Sequence, residues 1–136
     1  MIPLGTPRIL TYCTMFLRVN EGKSKRLDDA TFERISVTQA KDLVERDGVP
    51  IVDVRNPDEY ASGHVPGAVL IPVDSLLNRM DELPENERLI FICGVGQRSA
   101  LACEMAAAMG LHEGTKIYNV EGGTQDWIQQ GYPVDK

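Results

Sequence analysis

Leu89-Ile-Phe-Ile92 is a run of four apolar residues with no polar residue among them. A strand exposed on one face alternates apolar and polar side chains; a strand without alternation is buried on both faces. The run therefore reads as a central strand, and a sheet with such a centre needs cover on each side. The neighbouring segments supply it. Glu33–Val37 reads as a short strand, Pro50–Val54 as a β-branched buried strand, Ala68–Ile71 as another, and Lys116–Val120 as the last. Helical stretches fall between them. Thr38 is placed to cap a helix that carries Ala40, Leu43 and Val44 on one face and stops at Asp47-Gly48. Pro57–Ala61 can make one turn, and Ser75–Leu83, Ser99–Met109 and Thr124–Gln130 read as further helices. Strands alternating with helices imply an α/β protein with a mainly parallel sheet.

All of this pattern lies in residues 32–136, and 136 residues suffice for one compact domain with a real core. Residues 1–31 are read as an N-terminal extension, mobile in part. Its apolar run over 9–19 is too short to span a bilayer and lacks both a basic start and a small-residue cleavage site. The polar stretch 20–30 looks like linker. A formal net charge of −6 argues against nucleic acid and against an anionic membrane as partners, since both need clustered Lys and Arg. Small anionic substrates remain open, because they feel the local field. The cysteines are three, Cys13, Cys93 and Cys103, with no C-x-x-C spacing and only two histidines, so neither a metal site nor a disulfide framework is expected. Unpaired cysteines fit a reducing cytoplasm.

Chemistry is concentrated where the central strand ends. Leu89–Ile92 runs straight into Cys93-Gly94-Val95-Gly96-Gln97-Arg98-Ser99, and a helix follows. In open α/β sheets, ligands bind beyond the carboxyl ends of the strands. Gly94 and Gly96 allow a tight curl with positive φ where needed. Such a curl points successive N–H groups inward as an anion nest, and the next helix aims its positive end at the same point. Arg98 adds a fixed charge with a planar fork of donors. Each feature favours thiolate over thiol at Cys93, lowering a pKa that is roughly 8.5 in a free cysteine. Cys103, by contrast, lies in the middle of an almost wholly apolar helix and reads as packing, and Cys13 receives no role.

Three motifs in order carry a resemblance. They are Ile51-Val-Asp-Val-Arg-Asn-Pro-Asp-Glu-Tyr60 with Gly63-His-Val-Pro-Gly-Ala68, then Cys93-x-x-Gly96-x-Arg98-Ser99, then Gly122-Gly-Thr-Gln-Asp-Trp127. From about Ile35 to Pro133 the chain resembles the rhodanese superfamily. The resemblance implies a five-stranded, mainly parallel sheet flanked by helices on both faces. It implies a thiosulfate sulfurtransferase-like enzyme with no cofactor, in which Cys93 becomes a persulfide and Gly94 to Ser99 hold the substrate. The expected partners are a small anionic sulfur donor and a thiol or cyanide acceptor, or a protein acceptor. Asp53 and Arg55 stand two apart and face one side, which suits a structural ion pair. His64 in its Gly/Pro turn reads as structural. Gly122 and Gly123 turn the chain into the last helix, and Trp127 anchors that helix.

Two alternatives stand beside this reading. Related phosphatases use Cys-x5-Arg, and this loop is Cys93-x4-Arg98, one residue short; it suits sulfur better than a tetrahedral phosphate, which disfavours a phosphatase or arsenate reductase. Rhodanese-like domains also serve as binding or regulatory modules, though inactive versions usually lack the cysteine. One departure concerns the donor. Many family members carry a basic residue directly after the cysteine, where this chain has Gly94, and that weakens the case for thiosulfate in particular.

Overall fold

The computed structural model describes residues 31–136. Apart from Thr31, the extension read over 1–31, with Cys13, lies outside them. Five strands form one sheet: β1 (Glu33–Ile35), β2 (Ile51–Asp53), β3 (Val69–Leu70), β4 (Arg88–Ile92) and β5 (Lys116–Val120). Their spatial order is β1-β5-β4-β2-β3, and every pairing is parallel. The apolar run Leu89–Ile92 is the middle strand, flanked by β5 and β2.

The period-2 rule for strands explains the two-layered cover. Leu89, Phe91 and Cys93 join Val52, Val54 and Ile117 in one core, against Leu76 and Leu83 and against Ala102, Cys103 and Ala106 of the Gln97–Ala108 helix. Ile90 and Ile92 enter the opposite core with Ile51, Tyr118, Val120, Val37, Ala40 and Trp127. Both faces of β4 are thus dry, and each fully buried Ile, Leu or Phe there contributes roughly 1.5–3 kcal/mol. No helix among the described residues is long and apolar enough to cross a membrane.

Beyond single-residue shifts at element ends, four elements depart from their sequence-based expectation, the first being the strand read over Glu33–Val37, which ends at Ile35 because Ser36 caps the next helix and Val37 already belongs to it. The first helix, Val37–Asp47, is capped by Ser36 and not by Thr38. Ser36 Oγ accepts from Gln39 N at 3.1 Å while Gln39 Oε1 accepts from Ser36 N at 2.9 Å, a reciprocal capping box. Thr38 is already helical and its hydroxyl bonds Tyr132 instead, at 2.9 Å. The segment expected as a helix over Ser75–Leu83 is a 3-10 helix over Val73–Glu82, interrupted at Arg79 with φ −124° and ψ 25°. The helix expected from Ser99 begins two residues earlier, at Gln97. That shift places Ser99 inside its first turn, where its side chain returns toward the preceding loop.

Candidate active site

β4 delivers Cys93 just past its carboxyl end, and the chain curls through Gly94, Val95 and Gly96 into the Gln97–Ala108 helix. Gly96 sits at φ +102°, a conformation that any side chain would strain. Its N–H donates to Cys93 Sγ at 3.1 Å, and Ser99 Oγ lies 3.4 Å from the same sulfur. Gly94 differs from expectation: its φ is not positive, and what it provides is room, since a Cβ there would lie 3.3 Å from the Arg98 guanidinium.

The loop's N–H groups point inward because its carbonyls are held outward. Cys93 O accepts from Thr124 N at 2.7 Å, and Gly94 O accepts from Gln125 N at 3.0 Å. These two donors belong to the first turn of the Gly123–Gln129 helix, whose N–H groups have no partner inside the helix itself. Gly96 O accepts from Asn119 Nδ2 of β5 at 3.3 Å. Gly122 and Gly123 therefore do more than break a strand. A Cβ on Gly123 would stand 2.5 Å from the carbonyl oxygens of Cys93 and Gly94, so only glycine lets the two segments meet. One on Gly122 would run into Asp126 at 2.8 Å.

The cradle acts on the thiol. Cys93 is fully buried, and burial by itself opposes ionisation. The Ser99 hydroxyl and the backbone N–H groups of Ser99, Gly96 and Val95 more than offset it, and the pKa falls below the ordinary cysteine value. Cys103, equally buried in the helix, has no such donors, and burial pushes its pKa up.

Arg98 is not a free charge. Its two terminal nitrogens donate to the two Glu59 oxygens at 2.8 and 3.0 Å, a bidentate pair. The Glu59 carboxyl drops to about 2, chiefly through Arg98 and next through the Asn56 N–H. Val95 and Gln97 turn their side chains to solvent. A cavity of about 390 Å³ opens beside the loop, with Val95, Gly96, Gln97 and Asn119 in its wall and Cys93 outside its lining.

The other motif residues make their hydrogen bonds to partners other than the sulfur. Asp53 and Arg55, both buried, pair at 2.7 Å, and Arg55 also donates to Gly63 O at 2.8 Å. His64 Nδ1 meets Tyr60 O at 2.8 Å, and its ring stacks on Tyr60 with centroids 3.6 Å apart. Trp127 is buried, with Nε1 donating to Pro133 O at 2.7 Å. Among the described residues, no three His, Cys, Asp or Glu stand close enough to hold a metal ion. Sequence reasoning passed over Glu59 and Asn119. Glu59 lies 39 residues from its partner, beyond any local spacing rule. Asn119 did carry a signal, as the one amide in the buried strand end Tyr118-Asn119-Val120.

The family model described as a rhodanese-like domain matches residues 36–130. The chain is 34% identical over 125 residues to a Bacillus subtilis (strain 168) protein described as a candidate sulfur carrier, YrkF, covering 91% of this chain and 65% of that one. It thus spans a little under two thirds of that relative's length. It is 30% identical over 105 residues to the thiosulfate sulfurtransferase GlpE of Actinobacillus pleuropneumoniae serotype 3 (strain JL03), covering 77% of this chain and 94% of that one. Among solved structures, a rhodanese-like domain protein from Staphylococcus aureus is 34% identical, with a TM-score of 0.64, covering 77% of this chain and all of that one (100%).

Proposed function

The chain belongs to the rhodanese-like family, and from that premise we propose that it moves a sulfane sulfur from a donor to a thiophilic acceptor through a persulfide on Cys93. One observation carries the reading: a buried sulfur sits at the end of the central strand with inward N–H groups and a hydroxyl converging on it. Those donors favour the thiolate, which is the nucleophile.

The Cys93 thiolate attacks the donor's outer sulfur. A new S–S bond forms, the donor's own bond to that sulfur breaks, and its electron pair leaves with sulfite or a thiolate. In the second step an acceptor thiolate or cyanide attacks the outer sulfur of the persulfide. Cys93 departs as a thiolate, back in the cradle that stabilises it. Gly94 to Ser99 surround the transferred sulfur. The pairing of Arg98 with Glu59 adds to the absence of a basic residue at Gly94 and supports a low-charge donor, such as a protein or small-molecule persulfide, ahead of the thiosulfate dianion.

Mass spectrometry after mixing with thiosulfate or a persulfide tests this. The expected result is a gain of one sulfur on Cys93, absent in Cys93→Ser. Protein left unmodified by every donor would overturn it. That outcome would favour a second reading, a rhodanese-like binding module, for which the complete burial of Cys93 is the supporting observation.

A further inference from the structure

Asn119 is a buried polar residue that the proposed reaction leaves without a task. It is 2% exposed, pairs in register with Phe91 of β4, and reaches two groups of the loop. Its Nδ2 donates to Gly96 O at 3.3 Å. Because a carbonyl can only accept, this bond fixes which way the amide faces, and Oδ1 is turned to Ser99 Oγ at 2.5 Å. An amide oxygen can only accept as well, so the Ser99 proton is what joins the two. The same hydroxyl lies 3.4 Å from Cys93 Sγ. It has one proton and two acceptors.

We propose that Asn119 is a positioning residue for Cys93, competing with the sulfur for the single proton of Ser99. While Cys93 is a thiol, the hydroxyl donates to Asn119 and receives the S–H. When the thiol proton is lost, the hydroxyl turns to the sulfur and Asn119 Oδ1 gives up its donor inside the core. Asn119 thereby restrains thiolate formation, and it ties the loop's Gly96 to the ionisation state of the sulfur. Among the described residues, three of the charged pairs near the loop are Arg98 with Glu59, Arg55 with Asp53 and Arg34 with Glu121, and the carboxylate of Asp126 packs beside Gly122 on the docked helix. The nearby second thiol, Cys103, is kept neutral by burial.

This inference rests on the reading of Cys93 as the nucleophile, but its test reads ionisation and not sulfur transfer, so the two fail separately. The rate of Cys93 alkylation by iodoacetamide is followed against pH, with modification located on the Cys93 peptide. Asn119→Leu is expected to lower the midpoint by about one pH unit, the scale of one hydrogen bond released to the thiolate. Ser99→Ala is expected to raise it by about as much on the same grounds. In the Ser99→Ala background, Asn119→Leu should no longer lower the midpoint, since the hydroxyl route is gone; what remains is the Gly96 anchor, whose loss can only raise it. A midpoint that rises or stays in Asn119→Leu, or that shifts equally in both backgrounds, would overturn the proposal. Should Asn119→Leu fail to fold, the wild-type chain answers by NMR. The Asn119 side-chain amide should titrate with the Cys93 midpoint, and that response should shrink in Ser99→Ala to what passes through Gly96; a flat wild-type amide, or a response undiminished in Ser99→Ala, excludes the coupling.

Discussion

The guanidinium of Arg98 and the carboxylate of Glu59 meet in two parallel hydrogen bonds, and one Glu59 oxygen also accepts from Asn56 N at 3.0 Å. The side chains are 38% and 36% exposed, so water screens the pair and its worth is held to about 1 kcal/mol. The sign of its pH dependence follows from the lowered carboxyl. A group depressed from 4.5 to about 2 contributes fully above the upper value and loses its contribution as pH falls through the lower one. Glu59→Gln should therefore melt below wild type at neutral pH, and the two melting curves should converge as the pH approaches 2. The same substitution releases Arg98. With thiosulfate as donor, KM should fall about fivefold, the equivalent of roughly 1 kcal/mol of anion attraction; steady-state assays with an unchanged KM would remove the charge argument for donor choice. The sequence made Arg98 legible, because Cys-x4-Arg is local. Its neutralisation was not, because nothing in residues 93–99 names a partner on another helix.

Gly123 and Gly48 separate two effects that glycine substitutions usually mix. Both have positive φ, +58° and +65°. Around Gly48, at the end of the Val37–Asp47 helix, a Cβ would meet nothing within 4 Å. At Gly123 it would strike the loop backbone. Gly48→Ala should cost about 1 kcal/mol of backbone strain in urea unfolding. Gly123→Ala should cost about 2–4 kcal/mol, the range of an overpacked core with strain added, and should slow sulfur loading of Cys93 as well. Equal costs at the two positions would mean that the helix and the loop are not in firm contact. Elements whose signal is local were readable from the chain. Lys116–Val120 is a strand with the bounds its apolar pattern suggests. The Val73–Glu82 segment was misread because spacing alone does not tell a 3-10 helix from an α-helix, and Pro72 before it gives no side-chain cap. The docking of the Gly123–Gln129 helix on the loop was invisible for a different reason: it is made by backbone atoms, which every sequence shares.

Across the whole molecule, the segment after the last helix closes back on the first motif. Asp135 and His64 exchange backbone hydrogen bonds of 2.8 and 2.9 Å, Pro133 O receives Trp127 Nε1, and Tyr132 sets its ring edge-on to Trp127 with centroids 5.3 Å apart. Val134 and Tyr132 pack against the core that holds β1 and the first helix. The closing segment thus ties the first motif to the third, and the third holds the Cys93 loop through Thr124 and Gln125. Removing residues 132–136 should uncover Trp127 and lower stability by about 2–4 kcal/mol, in line with losses at other large core side chains. Chemical denaturation of the shortened chain checks it, and an unchanged midpoint would show that the closing segment is ornamental. The order β1-β5-β4-β2-β3 could not be read from the strand list alone, since it depends on crossovers and not on any strand's own residues.

The loop's carbonyls are anchored outward, so attraction for negative charge in the cradle is carried by main-chain N–H groups together with the Ser99 hydroxyl. Val95, 54% exposed, and Gln97 present their side chains to solvent and to the cavity beside the loop. Exchanging those two side chains leaves the sulfur's surroundings intact while altering the rim that an arriving molecule meets first. On the reading of Cys93 as the nucleophile, the cradle is hard-wired and the address is rewritable: changes at the rim alter which molecules arrive and leave the surroundings of the sulfur as they are.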